Sequence, residues 1–278
     1  MHTTASDGRC SPEELVSRAY EKGIRTMSVT DHDTMAGVAP AAAAASALKM
    51  TFIPGIEITS VHGGRDVHVL AYFLDELSDE LRQLLAEQRR NRIARAQLIA
   101  ERLAAAGAPI DVDALLDAAT ALGGKSIARP QIAQALIAAG HVATVAEAFE
   151  RFLSETGPAY VPHQGASPVT VVELIGAAGG VASMAHPGYT KQDGIVPDLV
   201  AAGLTAIEAY HSAHDEATTH RYLELAARHG LTVTGGSDFH GENTRRSEFF
   251  GVTSLPSGAF AQFVQRSKTI RASASCRP

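Results

Sequence analysis

The chain has 278 residues, a formal net charge of −6, 45% hydrophobic and 19% charged residues, a balance that fits one large domain with an ample core and excludes general disorder. The mild acidity excludes a general nucleic-acid or membrane binder, so an anionic substrate must be met by local positive charge or bound metal. Cys10 and Cys276 are its two cysteines, too few for a disulfide framework, and the sequence shows neither a membrane-length apolar run nor a signal-peptide layout, so a cytoplasmic protein is expected.

Ser11-Pro12-Glu13-Glu14 is a capping box with Pro at the first helical position, followed by Leu15, Val16, Ala19 and Tyr20 at helical spacing and Gly23 as a stop; a first helix is predicted there. Strands are predicted at 25–29, 50–53, 67–73, 180–184, 205–209 and 231–234, with helices at about 35–48, 169–178, 197–202 and 216–229 between them. This alternation argues for βα units and a parallel sheet. Residues 79–106 read as one long helix and 111–155 as further helices with no strand, which predicts a helical insertion at 79–156 within a barrel formed by 1–78 and 157–278. On the long helix, Arg89, Arg92 and Arg95 share one face and are read as solvated, pairing with Glu87 and Glu101.

Each predicted strand ends at, or contains, a group able to bind a metal. Thr30-Asp31-His32-Asp33 follows the first, Gly55-Ile56-Glu57 the second, and His68 lies within the third; Ala185-His186-Pro187, Tyr210-His211 and Gly236-Ser237-Asp238-Phe239-His240 follow the others. In a barrel of parallel strands these ends meet at one rim. Imidazole with carboxylate suits Zn, Mn or Fe. So many candidates predict two or three divalent ions, with Mn expected first, that would bind phosphate and lower the pKa of a bridging water. His62, His141, His163, His220 and His229 lie apart from these motifs and are read as structural.

Together, His2-Thr3-Thr4-Ala5-Ser6-Asp7-Gly8, Thr30-Asp31-His32-Asp33-Thr34, Gly55-Ile56-Glu57, Ala185-His186-Pro187-Gly188 and Gly236-Ser237-Asp238-Phe239-His240-Gly241 resemble the PHP (polymerase and histidinol phosphatase) family, and more closely its bacterial subgroup of nucleotide phosphoesterases. The resemblance implies a distorted (β/α)₇ TIM-like barrel with a helical insertion. It also implies a metal site using His2, Asp7, His32, Glu57, His68, His186, Asp238 and His240. The family opens with a strand ending in Leu-His-x-His, and Met1 stands at the x position. The barrel is therefore expected to lack its first strand here, and the natural protein to carry about ten more residues.

Arg129, in Ala128-Arg129-Pro130, resembles the subgroup's Gly-Arg-Pro motif and is expected to grip phosphate. His211 and His214 are expected to bind phosphate or protonate the leaving oxygen, and Lys125 is a weaker candidate. Ser6 and Ser237 lie beside ligand positions and are expected to support them. With Asp238, His240, Arg129 and His211 as the catalytic set, the expected reaction is hydrolysis of 3′,5′-nucleoside bisphosphates or short 5′-phosphorylated RNA by a metal-bridging hydroxide. No stable nucleic-acid complex and no membrane association are expected. The alternatives are an amidohydrolase-like metal hydrolase, or a non-catalytic metal-binding module because the first histidine is missing.

Overall fold

A computed structural model describes residues 1–74, 78–121, 127, 129–242, 244 and 247–274. Helix α1 (Pro12–Glu21) begins at the capping box, where the Ser11 hydroxyl accepts the Glu14 N–H, and it buries Leu15, Val16 and Ala19. It is followed by β1 (Thr26–Met27), α2 (Val38–Ala47) and β2 (Thr51–Phe52), with β1 and β2 paired in parallel. Next come β3 (Gly55–His62) and β4 (Arg65–Tyr72). The insertion contributes α3 (Asp79–Ala105), α4 (Val112–Ala121), α5 (Arg129–Ala138) and α6 (Val145–Ala148), the last running into a π turn at Phe149–Leu153. The remainder is α7 (Pro168–Ala177), β5 (Val181–Met184), α8 (Pro187–Thr190), α9 (Val196–Ala201), β6 (Ala206–His211), α10 (Glu216–Arg228), β7 (Thr232–Gly236) and α11 (Ser257–Ala274).

The fold is mixed α/β, but its sheet is not the all-parallel one predicted. Strands β3 to β7 lie side by side in chain order, with β3/β4 and β4/β5 antiparallel and β5/β6 and β6/β7 parallel. Among the described residues the strands do not close into a barrel; a parallel bridge between His32 and Glu57 links the end of the β1 segment to β3. The cause is β3, which the sequence pattern had hidden. Its first six residues are all buried, so Ile56-Glu57-Ile58-Thr59-Ser60 shows no alternation of apolar and solvent-facing positions. The turn to β4 is Gly63-Gly64, both at positive φ (56° and 77°), which a tight hairpin demands. Helix α11 was likewise not foreseen; it packs on the sheet through Phe263, whose ring lies 5.4 Å from that of Tyr72.

One apolar core lies between the sheet and α7, α9 and α10, and includes Ile58, Val69, Ile175, Met184 and Ile207. A second joins the helices of the insertion through Ile99, Leu103, Ile132, Leu136 and Leu153. Helix α3 belongs to both, since Leu81 and Leu84 near its start pack in the sheet core while Ile99 and Leu103 near its end pack among the helices. At the opposite side of the sheet, the Met1 carbonyl accepts the Thr30 N–H and the His2 N–H donates to the Phe239 carbonyl. These two residues thus span the ends of β1 and β7, above a largely apolar cavity of about 360 Å³.

Candidate metal centre

Glu57 in β3 is the hub. Its Oε1 lies 2.5 Å from His68 Nδ1 and 3.0 Å from His186 Nε2, and its Oε2 3.3 Å from His2 Nε2. The antiparallel direction of β4 explains why His68 sits near the start of its strand whereas His186 and His211 sit at the ends of theirs: reversing the strand brings its beginning to the same edge. Asp238 Oδ1 is 2.9 Å from His2 Nε2. Asp7 Oδ1 is 3.4 Å from His240 Nε2 and 3.7 Å from His2 Nδ1, and the His2 and His240 rings stack at 4.1 Å. His32 completes the cluster, its Nδ1 3.9 Å from Glu57 Oε1 and its Nε2 4.0 Å from Asp7 Oδ2.

The side chains fit divalent cations. Three overlapping groups, His2/Asp7/His32/His240, His32/Glu57/His68 and His2/Glu57/Asp238, bring their ligand atoms within 4.8 Å of one another. Both nitrogens of His2 sit among carboxylate oxygens without a properly directed hydrogen bond, and His32 Nδ1 and His186 Nδ1 also lack one. Buried polar atoms left this way point to a missing partner, and three converging carboxylates require positive charge. Burial pushes the His32 imidazole down to about 3, so near neutrality its lone pair is available to a cation. Burial alone would raise the Glu57 and Asp7 carboxyls, but the surrounding imidazoles, His32 foremost, hold both well below the usual range.

Neighbouring groups aim the ligands. Asp31, between Thr30 and His32, accepts the Thr3 N–H and hydroxyl at 2.7 Å and the Ser6 hydroxyl at 2.6 Å, tying down the loop that carries His2 and Asp7. The Ser6 hydroxyl also lies 3.4 Å from Asp7 Oδ1, so it touches both Asp31 and a ligand candidate. His240 Nδ1 lies 2.8 Å from the Asp238 carbonyl, which turns Nε2 towards Asp7. Glu208 of β6 accepts the His186 N–H at 2.9 Å. His186, Asp238 and Asp33 all hold positive φ, at 26°, 49° and 51°, strain characteristic of functional sites.

Arg92 corrects the solvated-face reading of α3, for its side chain is buried against Asp33. The buried His211, last residue of β6, places Nε2 3.5 Å from Asp238 Oδ2 while Nδ1 accepts the Ala213 N–H. His214 Nδ1 is held by the Ala209 carbonyl and Nε2 by the Gly188 N–H. Neither is among the residues lining the cleft at the metal centre.

That cleft, about 600 Å³, is lined by His32, Glu57, His68, His186 and His240 of the cluster and by Arg65, Arg129, Tyr160 and Tyr189. Arg129 opens α5 and lies 5.7 Å from the centre of the Phe149 ring and 5.8 Å from that of Tyr160. Lys125 lies outside the described residues. Of the supporting groups, Asp31 and Asp33 had a signal in their flanking of His32; Arg92 had none, since an arginine on a charged helix reads as solvated.

Residues 1–97 match the PHP domain. The chain is 35% identical to the 5′-3′ exoribonuclease Rnm of Escherichia coli over 86% of this chain and 83% of that protein. It is 34% identical to the 3′,5′-nucleoside bisphosphate phosphatase of Chromobacterium violaceum over 86% and 85%. A solved structure from Bifidobacterium adolescentis, of a protein presumed to be a metal-dependent phosphoesterase, superposes with a TM-score of 0.86 at 32% identity, covering 95% of this chain and 94% of that one. With similarity of this extent, the chain belongs to the PHP family.

Proposed function

We propose that the chain is a metal-dependent phosphoesterase that hydrolyses phosphate esters of nucleotides, either 3′,5′-nucleoside bisphosphates or short 5′-phosphorylated RNA. The observation carrying this reading is the convergence of Asp7, Glu57 and Asp238 on His2, His32, His68, His186 and His240 at a cleft that Arg129 also lines. The similarity to the exoribonuclease and the bisphosphate phosphatase supports the substrate class.

Two or three divalent ions, Mn foremost, bound by these eight residues would neutralise phosphoryl oxygens and acidify a water for in-line attack. Glu57, bonded to both His68 and His186, fixes the floor against which the phosphoryl group rests. Asp238 is backed by His211, which acts as its positioning residue. His240, with Nδ1 committed to a carbonyl, keeps Nε2 directed at the centre. Arg129, which lines the same cleft, can bind two phosphoryl oxygens at once with its planar guanidinium.

The His32–Glu57 bridge supports a reading of the two sheets as parts of one distorted barrel, formed by 1–78 and 157–278, with 79–156 as its insertion. Among the described residues no helix is long and apolar enough to cross a membrane, and the paucity of cysteine supports a cytoplasmic setting. The test is hydrolysis with Mn²⁺, read as inorganic phosphate released from a nucleoside bisphosphate and from small phosphomonoesters, and as mononucleotide released from a short 5′-phosphorylated RNA. Turnover of the nucleotide substrates is expected, and Asp238→Ala should abolish it; a near-normal rate in that variant contradicts the assignment.

A further inference from the structure

We infer that Tyr189 forms a nucleobase platform, a subsite that stacks the base of a nucleotide while its phosphate lies at the metal centre; this rests on the hydrolytic reading above. The side chain is 48% exposed, and it borders the same cleft as His186, Glu57 and Arg129. The other large apolar side chains exposed among the described residues, Tyr20, Leu98 and Val252, do not border that cleft. An aromatic surface open to water at the mouth of an anion site is an apolar area that a bound base would cover.

The ring is held in place. It meets the His186 ring at 5.9 Å and 84° and the His211 ring at 6.4 Å and 82°, so it is set perpendicular to two imidazoles, one partly exposed in the cleft and one buried. The turn beneath it is rigid as well. The Tyr189 N–H donates to the His186 carbonyl, and the Gly188 N–H donates to His214 Nε2 at 3.1 Å. A Cβ at Gly188 would lie 2.7 Å from the His214 ring, so only glycine lets the turn sit this close. His214, which does not reach the cleft, thereby acquires a role: it locks the turn that presents Tyr189. A preordered tyrosine loses little conformational freedom when a ligand stacks on it.

The cleft then divides by chemistry. The histidines and carboxylates with Arg129 take phosphate, and Tyr189, three residues beyond His186, takes a flat π system. A sugar phosphate satisfies only the first of these, whereas a nucleotide satisfies both. Stacking on an aromatic face tolerates any base, so the subsite selects nucleotides over sugar phosphates without selecting one base.

The test compares affinities for a purine nucleoside 5′-monophosphate and ribose 5-phosphate, by calorimetric titration of Mn²⁺-loaded wild type, Tyr189→Ala and Tyr189→Phe. The ratio of the two affinities is expected to fall roughly tenfold in Tyr189→Ala, within the range for loss of one base stack, and to return in Tyr189→Phe, which keeps the ring. A ratio unchanged by alanine overturns the platform. A ratio lowered equally in both variants also overturns it, since the hydroxyl rather than the ring would then be responsible. Because binding is read apart from turnover, a wild type that shows the ratio but releases neither phosphate from any monoester nor mononucleotide from RNA overturns the hydrolytic reading alone. Binding of neither probe overturns both.

Discussion

Arg92 of α3 grips Asp33 from inside the protein. Its Nε–H donates to Asp33 Oδ2 at 2.8 Å and Nη2 reaches the same oxygen, while Nη2 also donates to Thr59 Oγ1 at 2.7 Å and Nη1 to the Ile127 carbonyl. Asp33 Oδ1 meanwhile accepts the Thr59 N–H at 2.8 Å, and the Asp33 N–H donates to the Glu57 carbonyl. One guanidinium thus ties the insertion to the strand that carries Glu57 and to the turn that carries His32.

Removing that guanidinium leaves the Asp33 carboxylate buried without its counter-charge. Arg92→Ala should therefore lower stability by about 3–5 kcal/mol, the usual cost of breaking a buried pair, read from the urea midpoint at neutral pH. Burial would raise the Asp33 carboxyl, but Arg92, the Thr59 N–H and His32 together outweigh it and hold the group below its ordinary value. The pair's contribution is accordingly present above the unfolded carboxyl's pKa and lost as pH falls through the lower folded value. A midpoint within about 1 kcal/mol of wild type would show that the clamp is dispensable.

Glu57 draws three imidazoles, those of His2, His68 and His186, within 3.3 Å of its two oxygens. Glu57→Gln keeps the shape but gives up the charge, so the protein should retain fewer Mn ions after gel filtration. Turnover should fall by more than about 100-fold, because even partners that only orient metal ligands are worth 10–100-fold. Atomic absorption on the purified variant decides the point, and a full complement of ions would refute the hub assignment.

Metal removal should be visible in stability as well as in rate. The cluster gathers buried carboxylates that repel one another in the absence of cations, and an ion that binds only the folded chain stabilises it by about 2.7 kcal/mol at 100 times its Kd. Dialysis against a chelator should lower the Tm, and Mn²⁺ should restore it. Superimposable melting curves with and without Mn²⁺ would mean that these residues do not hold an ion.

The local pattern of His32, His186, Asp238 and His240 was legible because each follows a short apolar strand and a turn, so their sequence positions already imply one edge. The direction of β4 was not. His68 looked like an exception to the rule of strand ends until the Gly63-Gly64 hairpin reversed its strand. β3 was hidden for a related reason: Glu57 and Thr59 face the site while Ile56 and Ile58 face the core, so both faces are buried and the polar face mimics a loop. Arg92 was misread because its partner Asp33 is distant in sequence, and for the same reason the contacts of His211 with Asp238 and of His214 with Gly188 were not legible.

Acid should undo the metal-free protein before it reaches the carboxylate range, and His32 gives the reason. Burial, opposed by Glu57 and Asp7, leaves its folded pKa at about 3, whereas the unfolded imidazole titrates near 6.5. Below about pH 6.5 the unfolded chain takes up a proton that the folded site refuses. Stability present above that pH is lost as pH falls towards 3, at up to about 1.4 kcal/mol per pH unit. His240, lowered chiefly by burial and then by His2, acts in the same direction. His68 acts oppositely: although burial lowers it, its bond to Glu57 raises it overall, so its contribution is complete below its unfolded pKa and disappears as pH rises through the folded one. With two depressed groups against one raised, urea midpoints of the chelated protein should drop between pH 6.5 and 4.5, and His32→Gln should flatten the slope. A slope unaffected by that substitution would place the acid sensitivity elsewhere in the chain.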